Sequence, residues 1–74
     1  MSKARPLVIC VKNDGYEVSL ELRKIYVAVP DAGAEQRGLR RVIDESDEDY
    51  LYPSNFFVDI ALPQSIRRAV LTAA

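Results

Sequence analysis

The chain's one thiol, Cys10, sits inside the apolar run Leu7-Val8-Ile9-Cys10-Val11. A catalytic cysteine needs a base beside it, usually histidine, and this sequence contains no histidine at all. In the middle of such a run a free cysteine ordinarily serves as a small buried hydrophobe. Ser19, Ser46, Ser54 and Ser65 meet the same obstacle, since none has a histidine partner and no Gly-x-Ser-x-Gly turn occurs. One cysteine cannot form an internal disulfide, and without histidine it leaves zinc no soft ligand set. The run Asp44-Glu45-Ser46-Asp47-Glu48-Asp49 offers five carboxylates, which hard cations such as Ca²⁺ or Mg²⁺ accept as ligands. It lacks the central glycine and twelve-residue ligand spacing of an EF-hand loop, so it is expected to be a hairpin tip in solvent. No catalytic residue, metal or cofactor is therefore expected, and the chain does not read as an enzyme.

Binding chemistry has more support. The basic pairs Arg23-Lys24, Arg40-Arg41 and Arg67-Arg68 could grip a single-stranded nucleic acid beside Tyr26, Tyr50, Tyr52, Phe56 or Phe57, because bases stack on aromatic rings next to cations. Strand alternation would send Arg40 and Arg41 to opposite faces, however, so only one of them can face outward. With 10 Lys and Arg against 11 Asp and Glu, a net charge of -1 supplies no long-range field to attract a polyanion. The ordinary reading of these arginines is surface charge paired with the acidic run. A second cluster, Tyr50, Tyr52, Phe56 and Phe57, falls within eight residues around Pro53. A small core cannot enclose every one of these rings, and an exposed aromatic rimmed by charge is what a protein-binding hot spot looks like. Tyr50, Tyr52, Pro53 and Phe56 are thus the candidate binding residues for a protein partner or a second copy of the chain, with Arg23, Arg40, Arg41, Arg67 and Arg68 as the alternative nucleic-acid patch.

The elements that must carry these residues follow from periodicity and turn chemistry. Leu7 to Val11 reads as a strand, bounded by Pro6 and by the turn Asn13-Asp14-Gly15. Tyr16, Val18, Leu20 and Leu22 alternate with polar residues, a period of two that predicts one buried and one solvated face over Tyr16 to Arg23. Strands are expected over Lys24 to Val29, Leu39 to Ile43, Tyr50 to Tyr52 and Phe57 to Ala61. A loop covers Ala32 to Gly38, and a turn or single 3₁₀ turn covers Pro53-Ser54-Asn55. Pro63 at the first helical position, with Ile66, Ala69 and Val70 at helical spacing, predicts a short C-terminal helix with Arg67 and Arg68 toward its end. A helix this short needs a surface to dock on.

Seventy-four residues, 49% apolar and 28% charged, make one globular domain with a marginal core. Residues 1–62 are expected to form it and residues 63–74 a helix or tail. The apolar run near the start spans five residues, too short for a signal-peptide core or a membrane span, which points to the cytoplasm. With no disulfide or metal to staple it, good packing or self-association must hold the domain together.

Five short strands at this spacing, closed by Tyr52-Pro53-Ser54-Asn55-Phe56, resemble the Src-homology-3 (SH3) domain over about 40 residues, Leu22 to Ala61. In that family a Pro-Ser-Asn-Tyr tetrapeptide forms a 3₁₀ turn before the last strand. The resemblance implies a mainly β fold: a small five-stranded, closed or nearly closed barrel with a 3₁₀ turn and a short C-terminal helix. It also looks like the small bacterial barrels that stand alone or serve within larger assemblies. The family grips proline helices on a groove of aromatics that includes tryptophan, whereas here there is no Trp, Leu39-Arg40-Arg41 opens the third strand, and Phe56 replaces the tyrosine. The resemblance therefore implies the fold without implying proline-peptide binding.

Overall fold

A computed structural model describes residues 5–73. Five antiparallel strands, β1 (Leu7–Cys10), β2 (Ile25–Val29), β3 (Leu39–Ile43), β4 (Asp49–Pro53) and β5 (Phe57–Ile60), form one sheet in the order β4-β3-β2-β1-β5. A 3₁₀ turn, Ser54–Phe56, separates β4 from β5. Helix α1 (Ala32–Gln36) lies between β2 and β3, and helix α2 (Gln64–Thr72) follows β5.

The sheet curls without closing into a barrel. β4 and β5 are its two edges, yet only the three residues of the 3₁₀ turn connect them, so the edges must be brought near each other. Where a barrel would carry backbone hydrogen bonds, side chains bridge the gap. Arg40 on β3 donates from Nη1 to Asp59 Oδ1 on β5 at 2.7 Å and from Nη2 to Oδ2 at 3.3 Å. The N–H groups of Val11 and Lys12 meet the carbonyl of Phe56 at 2.8 and 3.3 Å, tying the exit of β1 to the 3₁₀ turn.

Cross-strand partners share a face of a sheet. On the concave face Val8, Cys10, Tyr26, Ala28, Val42, Tyr52 and Phe57 meet Leu20 and Phe56 in one core cluster. Cys10 is buried there, and its Sγ–H donates to the Lys12 carbonyl at 3.2 Å.

Residues 16–23 form no strand. Arg23 N–H reaches the Cys10 carbonyl at 2.7 Å and Cys10 N–H the Lys24 carbonyl at 2.9 Å, closing β1 onto β2 and leaving residues 11–22 as a compact loop. Its backbone is satisfied locally: Ser19 and Leu20 N–H both bond the Tyr16 carbonyl, and Asn13 Nδ2 donates to the Leu20 carbonyl at 2.9 Å. Of the four alternating apolar residues only Leu20 enters the core, while Val18 is 96% exposed. Gly15 at φ 84 and Arg23 at φ 67 make the sharp reversals.

The expected loop after β2 contains α1. Asp31 caps it by accepting from Ala34 N–H at 3.1 Å, and Glu35 reaches back to Asp31 N–H at 3.3 Å. In α2, Pro63 is the N-cap, one place before the first helical residue, so Arg67 and Arg68 fall mid-helix and no basic residue occupies the last turn. No residue of α2 is buried.

Candidate functional site

The open end of the curled sheet carries a groove of about 480 Å³ lined by Tyr16, Ser19, Asp44, Ser46, Tyr50, Leu51 and Tyr52. Loop 11–22 supplies one wall, and β4 with the 44–48 hairpin supplies the other. Tyr16 is 43% exposed and packs edge-on against Tyr52, with ring centroids 5.0 Å apart and planes at 88°, and against Phe56 at 6.0 Å. Tyr52 in turn meets Phe57 at 6.2 Å and 70°. Edge-to-face packing of this kind rigidifies a ring that would otherwise be free to turn. The floor of the groove is therefore an ordered aromatic stack with Tyr16 on top.

The acidic hairpin is only partly in solvent, contrary to expectation. Asp44 is buried: Tyr52 Oη donates to its Oδ2 at 2.5 Å, and Ser46 donates to Oδ1 from Oγ at 2.5 Å and from N at 2.8 Å. Burial opposes ionisation of Asp44, but the bonds from Ser46 and Tyr52 outweigh it and hold the carboxyl below its ordinary range. The same burial, with the Asp44 hydrogen bond, pushes the Tyr52 phenol up to about 12. Next door, Tyr26 Oη donates to Glu45 Oε2 at 2.5 Å while accepting from Glu21 N–H at 2.8 Å. Burial first, and then Glu45, raise the Tyr26 phenol well above its usual range. Lys24 meets the same Glu45 oxygen at 2.6 Å, and Lys24 and Tyr26 together lower the Glu45 carboxyl. Two tyrosine–carboxylate pairs thus lock the hairpin to the sheet and to loop 11–22.

Of the four residues expected to bind, the structure exposes one ring. Tyr50 is 51% exposed and its hydroxyl donates to Glu48 at 3.2 Å. Tyr52 and Phe56 are core residues, and Pro53 is half-buried at the end of β4. Sequence reasoning missed Tyr16 because the period of two assigned it to a strand. The turn residues Asn13-Asp14-Gly15 immediately before it were the available sign that it would stand on a loop.

The five arginines of the alternative patch lie on three separate segments. Arg40 and Arg41 are adjacent on β3 and project to opposite faces, each held by carboxylates: Arg40 by Asp59, and Arg41 by Asp31 at 2.9 Å and Asp49 at 3.2 Å. Arg23 turns the end of loop 11–22. Arg67 and Arg68 are on α2, and Arg67 donates to the Arg5 carbonyl. The C-terminal end of α2 shares the lining of a second groove with Leu7, Ile25 and Val27 through Val70 and Leu71, and contributes nothing to the groove of Tyr16 and Tyr50.

Among the described residues no cluster of three or more His, Cys, Asp or Glu could hold a metal ion, and no helix is long and apolar enough to cross a membrane. No family model, curated protein or solved structure matches the chain.

Proposed function

We propose that this protein is a non-catalytic binding module of SH3-like architecture. Its open-end groove takes an apolar or aromatic side chain from a protein segment that also carries Lys or Arg. The observation that carries this reading is the groove itself, where two half-exposed rings, Tyr16 and Tyr50, flank a pre-ordered aromatic stack. Rigid aromatic anchors of this sort gain contact area at little cost in side-chain freedom. Val18, almost fully exposed on the loop that forms one wall, extends the apolar surface. Asp44 lines the groove and Glu48 accepts from the Tyr50 hydroxyl beside it, so a basic flank on the partner meets complementary charge. The strand order and the 3₁₀ turn before β5 support the architectural kinship, whereas burial of Phe56 in the core argues for a ligand other than a proline helix. Burial of Cys10, which raises its thiol pKa, supports a non-catalytic role.

The test is a ¹⁵N NMR titration with short peptides that centre Phe or Leu between arginines, against the same peptides with glutamates. Saturable shifts at Tyr16, Val18, Tyr50 and Leu51 with the basic set alone are expected. Shifts confined to α2, or equal response to the acidic set, would refute the assignment.

A further inference from the structure

The convex face of the sheet is apolar across four strands. Register places Val58 and Ile60 of β5 opposite Ile9 and Leu7 of β1, these opposite Ile25 and Val27 of β2, and Val27 opposite Ile43 of β3. All seven of these positions would otherwise suit the inside of a sandwich; antiparallel sheets with one solvated face alternate apolar with polar instead. Helix α2 covers part of this face: Val70, Leu71 and Ala73 line a groove of about 240 Å³ together with Leu7, Ile25, Val27 and Ile43. Leu7 is thereby fully enclosed, but Val58 remains 52% exposed. The helix is itself unfinished, with Ile66 50% exposed and no residue buried. A nine-residue helix gains its stability from packing, so its apolar surface and the strip beside it call for a cover.

Charge says what that cover is. The groove has the C-terminal end of α2 on one side and Asp44, Glu45 and Asp47 of the hairpin on the other. Helix α2 carries Arg67 and Arg68 and no acidic residue. Among the described residues neither Arg68 nor Asp47 makes an ion pair. An apolar strip with a free cation on one flank and a free anion on the other is complementary to itself after a two-fold rotation, which sets each basic flank against the other's acidic one.

We infer that the convex face pairs with a second copy of this chain, in an isologous dimer where α2 of each protomer lies toward the partner's hairpin and Arg68 opposes Asp47 across the axis. A stable interface needs roughly 800 Å² per partner, a modest share of the protomer's 5240 Å² of accessible surface. This face lies opposite the concave core and away from Tyr16 and Tyr50, so a dimer leaves the open-end groove accessible.

Sedimentation equilibrium of the full chain from about 5 to 500 µM tests the inference, with circular dichroism to confirm folding of each variant. A reversible monomer–dimer equilibrium is expected. Val58→Lys and Ile66→Asp, both at exposed positions, should leave the monomer folded and weaken dimerisation at least tenfold. Arg68→Glu and Asp47→Lys should each weaken self-association, and mixing these two variants should restore dimers as heterodimers, because their reversed charges then oppose. A monomer at every concentration, a dimer indifferent to Val58→Lys and Ile66→Asp, or a charge-reversed pair that fails to recombine would each overturn the assignment.

Discussion

Tyr52 Oη stands 2.5 Å from Asp44 Oδ2, and both residues are buried. The pair joins the middle of β4 to the start of the 44–48 hairpin and also forms the floor of the aromatic groove. A hydrogen bond to a buried carboxylate contributes about 1.5–3 kcal/mol. Tyr52→Phe keeps the ring packed on Tyr16 and Phe57 and removes only the donor. It should lower unfolding free energy by an amount in that range, measured by urea denaturation with an unchanged m-value. A loss under about 0.5 kcal/mol would mean that solvent replaces the tyrosine donor.

The same pair sets opposite limits on the pH range of stability. Asp44 and Glu45 have folded-state pKa values below those of the unfolded chain, so their contribution is complete above the ordinary carboxylate range and is lost as pH falls through the depressed values. Tyr52 is shifted up, to about 12. The unfolded phenol ionises first, so stability falls as pH rises from about 10 toward 12. Thermal melts across pH should show a plateau in the neutral range with acid and alkaline shoulders. In Tyr52→Phe the alkaline shoulder should shrink, leaving the part due to Tyr26.

Much of the fold was legible in the sequence, because β1, β2 and β3 carry β-branched apolar residues, and β4 and the 3₁₀ turn follow from Tyr50-Leu51-Tyr52 and Pro53-Ser54-Asn55. Periodicity misled where a loop mimicked a strand: Tyr16, Val18, Leu20 and Leu22 alternate, yet Asn13 and the Tyr16 carbonyl satisfy that backbone locally and only Leu20 is buried. Barrel closure was over-read for a related reason, since the open edge is spanned by Arg40 meeting Asp59 and not by backbone pairing, a contact between residues 19 apart that no local pattern announces. Helix α1 was hidden because its cap, Asp31, sits directly after Pro30 in what reads as turn composition. At the site, an exposed ring near Pro53 was legible but not that it would be Tyr50 alone, whereas the exposure of Tyr16 and the burial of Asp44 depend on how loop 11–22 folds back.

Arg23 adopts φ 67 at the point where loop 11–22 rejoins β2. A side chain in this left-handed region costs about 1 kcal/mol relative to glycine, which takes positive φ freely. Arg23→Gly should therefore hold or raise the melting temperature, despite the greater entropy of the unfolded glycine chain. Arg23→Val, β-branched and worse suited to that conformation, should lower it. Differential scanning calorimetry of the two variants distinguishes backbone strain from loss of the charge, which both share.

The Arg40–Asp59 bridge makes a sharper prediction, because its two ends are unequally exposed. The Arg40 side chain is 16% exposed and its Nε has no hydrogen-bond partner, while the Asp59 side chain is 63% exposed. Removing the Asp59 carboxylate leaves a mostly buried cation with only Glu35, 4.0 Å from its Nε, to offset it, whereas removing the cation returns a carboxylate to water. Asp59→Ala should accordingly cost more than Arg40→Met, which keeps an apolar stem in place, by about 1 kcal/mol. A double-mutant cycle by chemical denaturation should give a coupling energy of at least about 0.5 kcal/mol. Equal costs for the two single variants, with no coupling, would mean that the curl of the sheet is held by the core and the 3₁₀ turn alone.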